Sequence, residues 1–298
     1  MDLPTTRQLE CFVAVAKTLH FRQAAELCHV TQPALSAQIQ QLEALLGVRL
    51  FERDRRSVLL TAAGALLVER SRGILGDLRE LAEASAQFKQ PLCGTLRLGV
   101  IPTVAPYLLP RALRAVHKRY PQLQVLLRED QTARLLERLT EGDLDVLLLA
   151  LEVELGDVET LPLLTDPFLL AVPPGHRLAR RKRVKERDLD DEQLLFLDDG
   201  HCLRDQALAV CARNGAREVD DFRATSLATL VQMVCGGVGM TLLPELAAKV
   251  EAKAESRLTL IPFAGKKPGR TIGLAWRSSS LRSPEFELFG EAVRSALG

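Results

Sequence analysis

The sequence predicts an α/β protein in two regions: an N-terminal winged helix-turn-helix dominated by helices, followed by a longer two-lobed α/β unit. Three observations predict this. Apolar residues recur at helical spacing near the N-terminus, with a tight break at His29-Val30. One long helical pattern with a seven-residue repeat follows, and beyond Thr95 strand-like and helical runs alternate. The expected domains are 1–60 for the winged helix-turn-helix, 61–90 for a linker and dimerisation helix, and 91–298 for an effector region. In that region the first lobe is expected over about 91–165 and 268–298, and the second over about 166–267.

The first helix is expected from Thr6 to Leu19, where Leu9, Phe12, Val13, Ala16 and Leu19 form a stripe. A short second helix follows from about Phe21 to Cys28. Thr31 then offers an N-cap and Pro33 lies in the first turn of a third helix that runs to Gly47, its expected C′ residue. Leu35, Ile39, Leu42 and Leu46 are its expected inward face. Gln32, Pro33, Ser36, Gln38 and Gln40 then lie outward or near its start, where short amides and hydroxyls can reach base edges in a major groove. A merely solvated polar face fits the same residues.

Arg49, Arg53, Arg55 and Arg56 fall in the segment 47–60, which reads as a two-stranded hairpin, a basic wing against phosphate. Arg22, opening the second helix, can add a backbone contact. The alternative is a solvated charged turn salted with Glu52 and Asp54. Thr61 caps a helix expected over Ala62 to Gln87, about 40 Å long. Leu67, Ile74, Leu81 and Phe88 recur every seven residues with Leu78 at a complementary position, and a seam of that period needs a partner helix. The protein is therefore expected to be at least a dimer, with packing on its own effector region as the competing arrangement.

Past Pro91-Leu92-Cys93-Gly94, strands are expected at 96–101, 125–127, 146–150, 168–172, 194–196, 239–243, 258–261 and 270–276. Helices are expected near 107–120, 132–139 and 227–235, with a last one after Trp276. Alternation of this kind implies a mainly parallel sheet covered by helices, and two such lobes joined by crossing strands leave a cleft between them. Gly236-Gly237-Val238-Gly239 reads as a helix stop rather than a phosphate loop, because no strand precedes it.

Composition excludes several classes. With 47% hydrophobic and 26% charged residues the chain is an ordinary globular protein. A net charge of +1 leaves any nucleic-acid surface local rather than global. The start Met1-Asp2-Leu3-Pro4-Thr5 lacks the basic and apolar regions of a secretory signal, and no run of eighteen apolar residues offers a membrane span, so a cytoplasmic protein is expected. The five histidines are scattered without ligand spacing, so neither a metal nor a cofactor is expected.

Of the six cysteines, Cys11, Cys28 and Cys235 sit in apolar helical patterns and read as small buried hydrophobes, and Cys93 has no evident role. Cys202 differs, being set among Gly200, His201, Arg204 and Asp205, with Cys211 nine positions on. It follows a carboxylate-glycine turn, so it is expected at a helix N-terminus, where backbone N–H groups favour the thiolate; His201 and Arg204 are expected to reinforce that field. A buried structural cysteine remains the alternative. If 203–211 is helical, Cys202 and Cys211 are about 13 Å apart along the axis, whereas a disulfide needs Cα atoms within roughly 7 Å.

The first ninety or so residues resemble the LysR-type transcriptional regulators in Phe21-Arg22-Gln23-Ala24-Ala25, in Val30-Thr31-Gln32-Pro33-Ala34-Leu35-Ser36 and in Leu42-Glu43. The effector region is similar to the peroxide-sensing members of that family at 101–110, at Asp199-Gly200-His201-Cys202-Leu203-Arg204-Asp205-Gln206, at 222–227 and at 270–274, so the likeness covers essentially the whole chain. The resemblance implies a homodimer assembling to a homotetramer, with a periplasmic-binding-protein-like effector fold, that binds a double-stranded DNA operator and activates with RNA polymerase. It also implies that Cys202 reacts with hydrogen peroxide to a sulfenic acid and that Cys211 resolves it to a disulfide. Thr103 would hold peroxide, with His201, Asp205 and Arg270 as the polar surround. Two other classes stay open: a LysR-type regulator of a small metabolite bound between the lobes, and a thiol enzyme. Against the enzyme, there is no Cys-x-x-Cys motif, and a DNA-binding unit would be unexplained.

Overall fold

The computed structural model describes residues 3–53, 58–87, 91–211, 217–254, 258–265 and 267–297. They form two compact units: residues 1–85 with 140–143, and the remainder.

In the first unit, α1 (Thr6–Thr18) starts from a reciprocal cap in which Thr5 Oγ1 accepts the Gln8 N–H and Gln8 Oε1 accepts the Thr5 N–H. α2 (Phe21–Leu27) and α3 (Gln32–Leu46) follow, with Thr31 Oγ1 accepting the Ala34 N–H at 3.4 Å and Gly47 ending α3 at φ 67°. A left-handed cap of this kind favours glycine because residues with a side chain rarely adopt that backbone conformation. β1 (Phe51–Arg53) and β2 (Val58–Leu60) make an antiparallel hairpin. Glu43 Oε1 ties it to α3 by accepting the N–H groups of Leu50 and Phe51 at 2.8 and 3.3 Å.

The core of this unit gathers Leu9, Phe12, Val15, Leu35, Ile39, Leu42, Leu50 and Phe51, with the Phe12 and Phe51 rings edge to face at 5.6 Å. Leu46, expected inward, is exposed, and Leu19 leaves the α1 stripe to become its left-handed cap. α4 (Ala62–Gln87) buries Val68 and Leu75 in the same core, and Leu67 packs there too instead of joining an open seam. Ile74, Leu78 and Leu81 are 48%, 41% and 63% exposed. Phe88 lies outside the described residues.

The second unit runs β3 (Gly94–Val100), α5 (Ala105–Arg119), β4 (Leu123–Glu129), α6 (Thr132–Thr140), β5 (Val146–Ala150), β6 (Val158–Val172), β7 (Gln193–Leu197), α7 (Cys202–Cys211) and β8 (Arg217–Ala224). It continues with α8 (Leu227–Cys235), β9 (Thr241–Pro244), α9 (Glu245–Ala254), β10 (Thr259–Pro262), β11 (Gly269–Arg277) and α10 (Ser283–Ser295); short 3-10 turns occupy Arg177–Arg180 and Glu186–Leu189. The main sheet has the order β10-β6-β11-β5-β3-β4, with β9 also on β6.

The sheet is mixed rather than mainly parallel. β3 is parallel to β4 and β5, but β11 is antiparallel to β5 and β6, and β6 is antiparallel to β9 and β10. The physical reason is β6, a strand of 15 residues that carries the chain from one core to the next, with β11 returning beside it. One core gathers around β3, β5, α5, β11 and α10; the other gathers around the far end of β6, β7, α8, β9 and α9. Gly236 caps α8 and Gly237 turns at φ 83°, the helix stop expected there. Among the described residues no helix is long and apolar enough to cross a membrane.

Candidate functional site

α7 begins at Cys202 and ends at Cys211, so both thiols lie on one helix of 10 residues and are free. They face different cores: Cys202 packs with the first, while Leu203, Ala207 and Cys211 pack with the second. Gly200 turns the chain into the helix at φ 88°, in a place where a Cβ would come within 2.7 Å of the Gln131 amide oxygen. Gln131 Nε2 in turn donates to the Asp199 carbonyl at 3.2 Å.

Around the Cys202 sulfur lies a small recess lined by Ile101, Pro102, Thr103, Gln131, Thr132, Gly200 and His201. Thr103 is fixed from behind. Arg270 Nη1 donates to Thr103 Oγ1 at 2.8 Å and Nη2 to the Thr103 carbonyl at 3.1 Å, while Nε donates to Asp166 Oδ2 at 3.1 Å. Because Arg270 occupies a lone pair of the Thr103 oxygen, the hydroxyl hydrogen is left to donate elsewhere. Asp166 and Arg270 are a fully buried ion pair. Burial pushes the Asp166 carboxyl above its ordinary value, and Arg270 with the Leu246 N–H pulls it back.

The thiol does not have the depressed pKa expected from its helix position. Burial pushes Cys202 up, outweighing the Arg270 charge, the Thr132 hydroxyl and the Leu203 N–H, all of which favour the thiolate. His201 and Arg204 do not supply the reinforcing field. Burial lowers the His201 pKa, which keeps the imidazole neutral near pH 7. Arg204 turns away to Asp199 at 2.9 Å and stacks over Phe196. The positive charge that acts on the sulfur is that of Arg270.

Of the residues expected to surround peroxide, Thr103 and His201 line the recess with Cys202, and Arg270 supports Thr103 from outside it. Asp205 does not join them. It is exposed and faces a different cavity of about 360 Å³ on another side of Cys202, where its charge raises the thiol pKa further. Thr132 is a site residue that sequence reasoning misses; its hydroxyl is buried without an oxygen or nitrogen partner and lies against the sulfur. Its only signal is its place at the start of an expected helix. Gln131 and Asp166 escape sequence reasoning as well. Cys211 is pushed up to about 12, by burial first and then by the Glu186 charge.

In the first unit, Gln32 and Pro33 are exposed at the start of α3, Ser36 and Gln38 are half-buried along it, and Thr31 spends its hydroxyl capping the helix. Arg22 is exposed beside Glu26 at 3.5 Å. Arg55 and Arg56 lie outside the described residues, and Arg53 is described only as backbone at the end of β1.

Two family models match the chain: the bacterial regulatory helix-turn-helix protein of the lysR family over residues 6–65, and the LysR substrate binding domain over residues 89–298. The DNA-binding transcriptional dual regulator OxyR of Escherichia coli (strain K12) is 46% identical over 291 residues, covering 98% of this chain and 95% of that protein. A full-length OxyR variant from Pseudomonas aeruginosa is similar in structure, with TM-score 0.80 and 33% identity over 99% of this chain and 96% of that one. A Corynebacterium glutamicum OxyR mutant with hydrogen peroxide bound has TM-score 0.67 and 37% identity, over 100% of this chain and 95% of its own.

Proposed function

Because the chain belongs to the LysR family of bacterial helix-turn-helix transcriptional regulators, we propose that it is a peroxide-responsive DNA-binding activator switched by oxidation of Cys202. The observation that carries this reading is the recess in which a buried thiol faces two threonine hydroxyls and a neutral imidazole, with a buried guanidinium behind one of them. The donors that line this recess suit a leaving hydroxide.

The Cys202 thiolate attacks one peroxide oxygen: the S–O bond forms, the O–O bond breaks, and hydroxide leaves with the proton shed by the thiol as water. Thr103, polarised by Arg270, and Thr132 donate to the peroxide oxygens and to the developing negative charge. The Cys211 sulfur then attacks the sulfenic sulfur, forming the disulfide and releasing a second water, so two thiols lose two electrons to one peroxide. Since α7 holds the cysteines about 13 Å apart, closure has to unwind it. The redox change would reach DNA through α4 and residues 1–60. In this reading the exposed Ile74, Leu78 and Leu81 ridge takes a second copy, and dimers pair to a tetramer that engages RNA polymerase in the cytoplasm.

A second reading has one observation in its favour. The cavity of about 360 Å³ is lined by Gln206, whose carboxamide oxygen and nitrogen are buried and unpartnered, as a metabolite-binding amide would be. Titrating the reduced protein with hydrogen peroxide separates the readings. One equivalent consumed per chain, with Cys202 and Cys211 joined in the peptide map, is the outcome expected here. Thiols left intact favour the metabolite regulator, and sustained turnover with a simple reductant would make the protein an enzyme.

A further inference from the structure

Between β6 and β7 the chain concentrates its positive charge. From Arg177 to Arg187 seven of eleven residues are arginine or lysine, against the single carboxylate of Glu186. That is a net of +6 where the whole chain carries +1, so everything outside the segment sums to −5. All seven cations are exposed. In a chain so nearly neutral, a local excess of this size makes a surface for a polyanion.

The segment is held firmly against the second core. Leu178, Val184 and Leu189 are buried, the Val184 N–H donates to the Pro262 carbonyl at 3.1 Å, and the Val184 carbonyl accepts the Ala264 N–H at 2.8 Å. Successive side chains of extended backbone point to opposite sides, so the inward Val184 turns Arg183 and Lys185 outward. Arg177 is paired with Glu192, and Arg181 with Asp188 at 2.9 Å. Arg180, Lys182, Arg183 and Lys185 have no carboxylate within ion-pair distance among the described residues. Cations crowded in this way repel one another, and a bound anion relieves that cost.

The composition of the patch says which anion. Between Val172 and Gln193 no large hydrophobic side chain is exposed and there is no aromatic residue. Protein interfaces are built around apolar and aromatic anchors, whereas a phosphate surface needs only cations. Arginine outnumbers lysine five to two, and its planar fork matches a pair of phosphate oxygens.

We propose that this segment is a second DNA-contacting surface, carried by the effector region and separate from the helix-turn-helix, which holds the phosphate backbone of the duplex without reading its bases. Arg180, Lys182, Arg183 and Lys185 meet phosphates directly, because no partner within the chain has to be given up. The surface supplies a salt-sensitive, sequence-independent share of the affinity. It goes beyond the peroxide reading and owes nothing to the thiols, so it acts in the reduced protein.

The reduced full-length protein is treated with N-hydroxysuccinimidyl acetate, alone and with a duplex selected on it or a random duplex of equal length, and lysine acetylation is mapped by mass spectrometry. Lys182 and Lys185 should be protected at least threefold by either duplex, while Lys118 on α5 and Lys249 on α9, exposed on the same unit, react as before. In parallel, affinity is measured against salt for the wild type and for the combined variant Arg180→Gln, Lys182→Gln, Arg183→Gln and Lys185→Gln. Each phosphate contact contributes about 0.9 to the slope of log affinity against log salt, so the variant's slope should be shallower by about 2 to 4 on both duplexes. Equal acetylation of Lys182 and Lys185 with and without duplex overturns the proposal; a patch built for an acidic protein gives that result. An unchanged salt slope overturns it as well, as does protection that extends equally to Lys118 and Lys249. A loss confined to the selected duplex overturns the sequence-independent role. The wild-type acetylation map decides the question even if the combined variant fails to fold.

Discussion

If Cys202 and Cys211 join, α7 has to come apart, and hydrogen exchange measures how far. The helix spans 10 residues, so its ends are about 13 Å apart, nearly twice the reach of a disulfide. Unwinding withdraws Leu203, Ala207 and Cys211 from the second core and Cys202 from the first. Re-exposing Leu203 alone costs about 2 kcal/mol. The Arg204 contacts with Asp199 and Phe196 add about 1 kcal/mol, discounted because Asp199 is largely in solvent. A cross-link closing so short a loop is worth about 3 kcal/mol by chain entropy, comparable to those losses, so the segment rearranges while the lobe stays folded. Amides from about 200 to 211 should exchange about a hundredfold faster after oxidation, the equivalent of roughly 3 kcal/mol of lost local protection. The test compares reduced and peroxide-treated protein by exchange mass spectrometry, with the bond mapped on the same samples. An intact Cys202–Cys211 bond with unchanged exchange over this segment would refute the unwinding argument.

Thr132→Val and Thr103→Val should each slow peroxide oxidation of Cys202 by about ten- to a hundredfold, since each removes one donor to the departing oxygen; stopped-flow thiol consumption measures it, and an unchanged rate removes that residue from the site. Because burial raises the Cys202 pKa, the thiolate is the minor form at neutral pH, and the rate should climb about tenfold per pH unit from 6 to 8; a plateau in that window would mean the thiol is already ionised. Ile74→Asp with Leu81→Asp should lower the assembly mass in sedimentation, whereas an unchanged mass places the contact elsewhere. Gln32→Ala should alter sequence preference while Arg53→Ala weakens all duplexes alike, so equal losses on specific and random DNA from Gln32→Ala would sink the base-reading assignment.

The elements read most easily from sequence are those whose signal is local. α3 announces itself through Thr31, Pro33 and Gly47, α4 through Thr61 and its repeat, and α8 through an apolar run between Ser226 and Gly236. β6 is legible only over 168–172. The part before it contains Pro162 and Pro167 and alternates weakly, features that argue against a strand until β11 is present to pair with it. The parallel-sheet expectation fails for the same reason: alternation of strands and helices indicates an α/β unit but does not reveal that β6 and β11 run antiparallel between two cores. α9 escapes the reading because Glu245–Ala254 follows a strand without a turn signal, its first helical residue being the one next to Pro244.

The site divides along similar lines. A motif read along the chain places His201, Cys202 and Asp205 together, but a helix start scatters its side chains: His201 goes to the recess, Asp205 to the neighbouring cavity, and Arg204 back toward Asp199. The other residues of the site come from afar, Thr103 after β3 and Thr132 at the head of α6 in the recess and Arg270 on β11 behind Thr103, and nothing in their own neighbourhoods marks them as partners of a thiol. Helix position alone predicts a depressed Cys202 pKa, and burial reverses the sign. Reactivity then cannot rest on a standing thiolate. It has to come from donors that stabilise charge as the S–O bond forms, which makes selectivity a property of the recess. A bulky oxidant or alkylating agent meets a buried, protonated thiol without such help, while in the proposed reaction hydrogen peroxide draws on Thr103 and Thr132 as donors.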